Sequence, residues 1–324
     1  MSEQPQTGKN PLETAKAVKK AAADIGYVEC GITTADPFPE YAEAVTGFID
    51  RFPETTDLYE NMKRRAEPRA ANSWARSIIV CVRRYGKYEF PRELAGHIGR
   101  NYLCDSRYAG NPEHTMPARM SEALKQMGLR IRRGGTPDRH AAARAGVVRI
   151  GRNGFAYHDN FGSWINILTW LADAELPPDE PTTDCPCPEN CRICIDACPT
   201  GALCESFVMR MDRCIAYLTY HAPEPIPHEL WEKIGGWIYG CDVCQTVCPL
   251  NRGKWQAKES MPWMKDILPC MTPKALAEMD DATYREKVHP AFWYISPENR
   301  ARWQANANRA LRQGARGVSP KNTK

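Results

Sequence analysis

The residues with the most specific chemistry in this sequence are cysteines. Cys187, Cys191, Cys194 and Cys198 are separated by three, two and three residues, and Pro199 follows the last of them. Cys241, Cys244 and Cys248 repeat the two-and-three spacing and are again followed by a proline, Pro249, while Cys214 lies upstream of this second run. Closely spaced cysteines on a tight loop aim their thiolates at one centre, and the Cys-Pro residue turns away into the next element. The pattern fits 4Fe–4S cubanes better than zinc, because zinc sites built from Cys-x2-Cys units do not require the Cys-Pro ending that occurs here twice. Disulfides are the other use of a chain with 14 cysteines, but disulfide scaffolds are short and secreted, and MSEQPQTGKN at the N-terminus has no apolar signal core.

In bacterial two-cluster ferredoxins the last cysteine of each run ligates the other cluster. Applied here, one cluster takes Cys187, Cys191, Cys194 and Cys248, and the other takes Cys198, Cys214, Cys241 and Cys244. The first interval is x3 where the usual run has x2. Cys185 therefore competes for the first position, although Cys187 lies closer to the usual spacing. Two such clusters make a low-potential electron-handling protein.

The elements that must position these cysteines are legible in outline. Residues 11–25 have helical periodicity, YVECGITTAD (27–36) reads as a strand and turn, and SIIVCVRRY (77–85) as a buried strand. Residues 117–127 form an amphipathic helix with Pro117 at its start, and 140–154 a Gly-punctuated loop. FGSWINILTWLADAEL (161–176) reads as a helix or a strand–helix unit. Strands alternating with helices imply an α/β domain over 1–178. The Pro-rich, acidic stretch 177–184 then leads into a ferredoxin-like cluster module, 179–255. Residues 256–314 read as a helical segment packing on the core, and 315–324 as a disordered basic tail. A net charge of +4 does not by itself point to nucleic acid or a membrane, and no apolar run approaches the ~20 residues of a spanning helix. The expected setting is the cytoplasm, with no membrane partner.

YGCDVCQTVCPLNRGK (239–254), CRICIDACPTGAL (191–203) and DRCIAYLTY (212–220) resemble the epoxyqueuosine reductase family, relatives of the reductive dehalogenases. The likeness is not confined to cysteines. GITTAD (31–36), the ARAG…IGRN segment ending at residue 153, FGSW (161–164) and RWQANANRALRQG (302–314) match family positions in order, almost to the end of the chain. The resemblance implies a nitroreductase-like α/β domain that holds cobalamin base-off, beside a two-cluster ferredoxin-like module. A low-potential donor of ferredoxin or flavodoxin type would feed electrons from cluster to cluster and on to cobalt. The cob(I)alamin so formed would reduce an electrophile: epoxyqueuosine in tRNA, an organohalide or another small substrate. Arg65, Cys104, Ala156, Ile167, Ala216, Cys241 and Asp242 fall where members of the family contact the corrinoid. The Asp138–His140 pair is similar to the cobalt-ligating motif of other corrinoid proteins. Ala143 stands where its glycine should follow, and the resembled family uses no such histidine, so His140 is read as structural.

The sequence departs from the family at two points. The position of the family's proton-donating aspartate aligns with Arg132, and a guanidinium stays protonated at any ordinary pH. Arg132 suits an anionic substrate or lowers the pKa of a neighbouring phenol; a shifted alignment would put Asp138 in the acid's place. The dehalogenase relatives use a tyrosine assisted by a basic residue, which makes Tyr108 and Tyr157 the candidate donors here. The chain also stops where the helical-repeat extension that grips tRNA would begin, so the expectation is a short member of the family. The competing reading is an electron-transfer or corrinoid-reactivating protein with no substrate chemistry of its own, which loss of the acid favours.

Overall fold

A computed structural model describes residues 10–223 and 225–314; the expected tail, 315–324, lies outside them. The chain divides into two compact units that interleave along the sequence. The first comprises Met1–Gly86, Thr115–Cys191 and Leu250–Lys254, and the second Lys87–His114, Arg192–Pro249 and Trp255–Lys324. Lys87–His114, expected within the N-terminal domain, thus belongs with the cysteine-rich segment, and the unit boundaries differ from those at 178 and 255.

In the first unit the strands are β1 (Glu29–Thr34), β2 (Ser77–Arg84), β3 (Ile131–Arg133), β4 (Arg149–Ile150), β5 (Ala156–Tyr157) and β6 (Ile165–Ala172). Four of them form one sheet in the order β1-β2-β6-β3, and β4 pairs with β5 alone. Every pairing is antiparallel, so the mixture of helix and strand is as expected but the strands are not joined as parallel crossovers. The 161–176 segment resolves as a strand, because FGSW precedes a β-branched and aromatic run, INILTWLA, that is buried over its second half.

Helix Pro11–Ile25 shows why the local sequence folds as it does. Asn10 accepts the Leu12 N–H, Pro11 occupies the first turn, and Gly26 ends the helix at φ +112°. Its Val18 and Ala22 pack with Ile32, Ile79, Trp170 and, from helix Met116–Gln126, Met120 and Leu124. Each large apolar side chain buried there contributes about 1.5–3 kcal/mol. The connector expected from 177–184 covers the open edge of the sheet. Asp179 accepts the Ile32 N–H at 2.8 Å and pairs with Lys19 at 2.5 Å, and its own N–H bonds to the Ile32 carbonyl.

In the second unit, hairpin strands β7 (Leu203–Glu205) and β8 (Val208–Met209) follow the short helix Ile193–Asp196. Helices Ile215–Tyr220 and Val243–Thr246 come next, and Pro273–Glu278 and Ala301–Gly314 pack on each other near the end. The last helix is held by polar contacts as well as by its apolar face. Asn306 donates to the carbonyls of Thr219 and Ile238 at 2.9 and 3.0 Å, and Trp303 stacks on Tyr239 with ring centroids 4.7 Å apart. The QANANR run is therefore a set of backbone clamps on the segments that carry Cys214 and Cys241.

Candidate metal centre

The second unit brings together Cys198, Cys214, Cys241 and Cys244, one complete ligand set of the two assigned from the sequence. Cys198 and Cys244 pack against Cys194, Ile195 and Leu203, and Cys241 packs against the cluster of Ile215, Leu218 and Ile234. Cys214 caps helix Ile215–Tyr220, and the N–H groups of Tyr217 and Ala216 favour its thiolate. The Val243 N–H donates to Cys241 Sγ at 3.5 Å.

Burial pushes the thiols of Cys214, Cys241 and Cys244 up, and the cysteines push one another further. Cys244 faces Cys214, Cys198 and Cys194, and Cys241 faces Cys244 and Cys214. Buried thiols in such mutual repulsion lose their protons together only against a positive centre, and the irons of a 4Fe–4S cluster supply one. The residues fit that group. Among the described residues no three His, Cys, Asp or Glu side chains stand as ligands of a single metal ion; the unit offers separate thiols that feel one another's charge.

Two local devices place Cys241. Gly240 lies at φ +75°, and a Cβ on it would stand 2.1 Å from the Tyr102 ring, so only glycine fits. Its N–H donates to Thr219 Oγ1 at 3.0 Å. Asp242, on the other side, is buried and accepts the Arg100 N–H at 2.9 Å. Burial raises its pKa to about 6, against the opposing pull of Arg100.

Of the other ligand set, Cys194 and Cys248 lie in the second unit, Cys187 and Cys191 in the first. Cys187 Sγ accepts the Arg152 N–H at 3.3 Å, whereas Cys185 is exposed.

The remaining predicted site residues divide between the units. In the second, Cys104 is fully buried with its thiol 3.8 Å from Met261 Sδ, an internal packing partner rather than an open face. Ala216 is half-buried in the helix behind Cys214, and Tyr108 is half-buried with its ring folded over Gly110. In the first, Arg65 is exposed in the turn Arg64–Ala66, and its charge reaches Asp138 and Tyr41. Ala156 is buried, and Ile167 stays half-exposed on the interior strand β6. Arg132 is exposed on β3 and donates to Asn72 Oδ1 at 3.0 Å. Tyr157 is buried, and its hydroxyl accepts from Asn153 Nδ2 at 2.8 Å. His140 packs against Tyr41 with the rings tilted and their centroids 4.7 Å apart; burial, with Arg139 beside it, lowers its pKa to about 4 and keeps the ring neutral.

The sequence reading missed two arrangements. Asp138 Oδ1 accepts from Thr136 and Thr169 at 2.9 and 2.8 Å, and burial raises the carboxyl's pKa against Arg65 and Arg139. Tyr102 and Tyr220 share a 2.6 Å hydroxyl bond, Tyr220 stacks on Tyr294, and Arg107 donates to the Tyr294 hydroxyl at 3.0 Å while pairing with Asp105. The signal for the first was the T-P-D run at 136–138. The phenols come from three separate segments, and nothing local links them.

The comparisons agree with this geometry. The family described as 4Fe-4S double cluster binding domain matches residues 187–251. The epoxyqueuosine reductase of Staphylococcus aureus is 32% identical over 249 residues, covering 72% of this chain and 63% of that protein, so the chain spans rather less than two thirds of that relative's length. That of Leadbetterella byssophila is 30% identical, covering 73% of this chain and 79% of its own. A solved epoxyqueuosine reductase in complex with an epoxyqueuosine-modified tRNA-Tyr stem loop superposes with a TM-score of 0.71 at 26% identity, over 93% of this chain and 82% of that one. With 30% identity to a relative covered over most of its length, and the cluster-binding segment matched at 187–251, the chain belongs to the epoxyqueuosine reductase family of iron–sulfur oxidoreductases.

Proposed function

We propose that this protein is a cobalamin-dependent iron–sulfur reductase of an electrophilic substrate, with epoxyqueuosine in tRNA as the leading substrate. The presence of Cys198, Cys214, Cys241 and Cys244 in one unit, within electrostatic reach of one another, carries the reading, because a reductase of this kind needs a buried electron relay. Cys187, Cys191, Cys194 and Cys248 complete the second ligand set, and the Arg152 N–H on Cys187 Sγ supports Cys187 over Cys185. A soluble low-potential donor of ferredoxin or flavodoxin type suits this wiring.

Cobalamin, when bound, supplies a low-potential nucleophilic metal to the reaction. The residues the family aligns with it suit a large amphipathic ring. In the first unit Ile167 leaves apolar surface on an interior strand, Ala156 is small, and Arg65 offers an exposed cation for amide and phosphate groups. Asp242 is engaged with Arg100 and orients the Cys241 loop. For the proton, Asp138 is the best-placed acid of the first unit. Its burial favours the protonated form, and the Thr136 and Thr169 hydroxyls hold Oδ1 in place. Arg132, exposed and bonded to Asn72, suits an anionic group of the substrate.

The reading as an electron-transfer or corrinoid-reactivating protein rests on Arg132 in the acid's position. One experiment separates the two. Epoxyqueuosine-containing tRNA is incubated anaerobically with cluster-loaded protein, cobalamin and a low-potential reductant, and its nucleosides are analysed by mass spectrometry. Loss of one oxygen from the modified base supports the reductase; unchanged tRNA, with the clusters still reducible, supports the redox partner.

A further inference from the structure

Cys30 on β1 and Cys81 on β2 are directly opposite in the antiparallel register, and their sulfurs lie 3.8 Å apart. The hydrogen-bond pattern shows which kind of pair this is. Ala35 N–H bonds to the Arg76 carbonyl, one step beyond the Thr34–Ser77 pair, while the Ile32 N–H and carbonyl both turn outward to Asp179. Bonding alternates along a strand, so Cys30, two residues before Ile32, also turns its backbone away from β2. Cys30 and Cys81 are therefore a non-hydrogen-bonded pair, the closer of the two kinds, with Cα atoms about 4.5 Å apart. That separation and a shared face meet the requirement for a disulfide with no movement of the backbone. Neither cysteine belongs to the cluster motifs, and both are free thiols in the structure.

We propose that Cys30 and Cys81 form a reversible cross-strand disulfide by exchange with a small-molecule disulfide of the glutathione class. The two thiols are not equivalent. Cys81 is fully buried on the inner strand β2, whereas Cys30 is partly exposed on the edge strand. Burial and the Cys30 neighbour push the Cys81 thiol up, so Cys30 is the attacking sulfur. Its thiolate displaces one thiolate from the small disulfide and forms a mixed disulfide. Cys81 gives up its proton and attacks the Cys30 sulfur, releasing the second small thiolate. Two protein thiols are oxidised by two electrons, one disulfide is reduced to two thiols, and the two protons leave with them. The product pins edge strand β1 to the centre of the sheet.

The test uses anaerobically reconstituted, cluster-loaded protein incubated with excess glutathione disulfide, quenched with N-ethylmaleimide under denaturing conditions, digested and analysed by mass spectrometry. The expected result is a cross-linked peptide pair carrying Cys30 and Cys81, lost on treatment with dithiothreitol. Cys81→Ser leaves Cys30 as a stable glutathione adduct, and Cys30→Ser leaves Cys81 as a maleimide adduct only. Recovery of both cysteines as maleimide adducts in the wild-type protein overturns the proposal. So does a Cys30 that takes up no glutathione in the Cys81→Ser protein.

Discussion

The Asp242 carboxylate accepts the backbone N–H of Arg100 at 2.9 Å, 142 residues away in sequence. The bond ties the residue after Cys241 to the start of helix Arg100–Leu103, in a segment the sequence had placed in another domain. Asp242→Ala leaves that donor without its partner and should cost about 1–3 kcal/mol. Thermal denaturation should show a lowered midpoint, and the protein should lose iron from one cluster faster than from the other on incubation with a chelator. Asp242→Asn keeps an acceptor oxygen for the Arg100 N–H and should retain most of the wild-type stability.

The ligand assignment predicts a graded iron content. Cys214→Ser should remove one of the two clusters and roughly halve the iron bound per chain, because a set of four loses one thiolate. Cys185→Ser should leave iron content and the EPR signal unchanged, while Cys187→Ser should lose a cluster. The reverse pattern for the last two would exchange their roles.

Gly240 admits no side chain. Gly240→Ala places a methyl against the Tyr102 ring at a positive φ, and should destabilise the second unit by about 2–4 kcal/mol. Calorimetry would measure the loss. Tyr102→Phe keeps the ring carbons that clash and should restore none of the loss in the alanine variant.

His140 predicts a pH dependence with a definite sign. Its folded pKa, about 4, lies below the ordinary 6.5, so the fold favours the neutral ring. The stability it contributes is complete above about 6.5 and is lost as pH falls toward about 4. For a partly exposed ring the effect is on the order of 2 kcal/mol. His140→Gln should flatten the denaturation midpoint across that window, with no change at pH 8.

The Tyr102–Tyr220 bond is part-buried, so either single replacement by Phe leaves one hydroxyl without this partner, whereas the double replacement leaves none. Each single variant should lose about 1 kcal/mol or more, and the double variant less than the sum. A double-mutant cycle by urea denaturation measures the coupling.

Strongly periodic or covalently specific features were legible in the sequence. The helix at 11–25 appears there with the same ends, because a cap, a proline and a terminal glycine mark them. The cysteine runs identify their chemistry because ligand spacing is local. The antiparallel sheet was not legible, since pairing direction depends on contacts between β2 and β6 across more than eighty residues. For the same reason Lys87–His114 read as part of the first domain. Asp138 was seen only as an alignment alternative, because its character comes from Thr169, 31 residues away. Cys30 and Cys81 stand 51 residues apart in sequence, and only the strand register sets them opposite each other.

The proposed dependence on cobalamin is tested most directly by anaerobic titration of the cluster-loaded protein with cob(II)alamin, followed by EPR. The account predicts a saturable base-off cob(II)alamin signal that is weakened by Arg65→Ala and unaffected by Cys30→Ser. A signal that stays that of free cob(II)alamin at every protein concentration would contradict it.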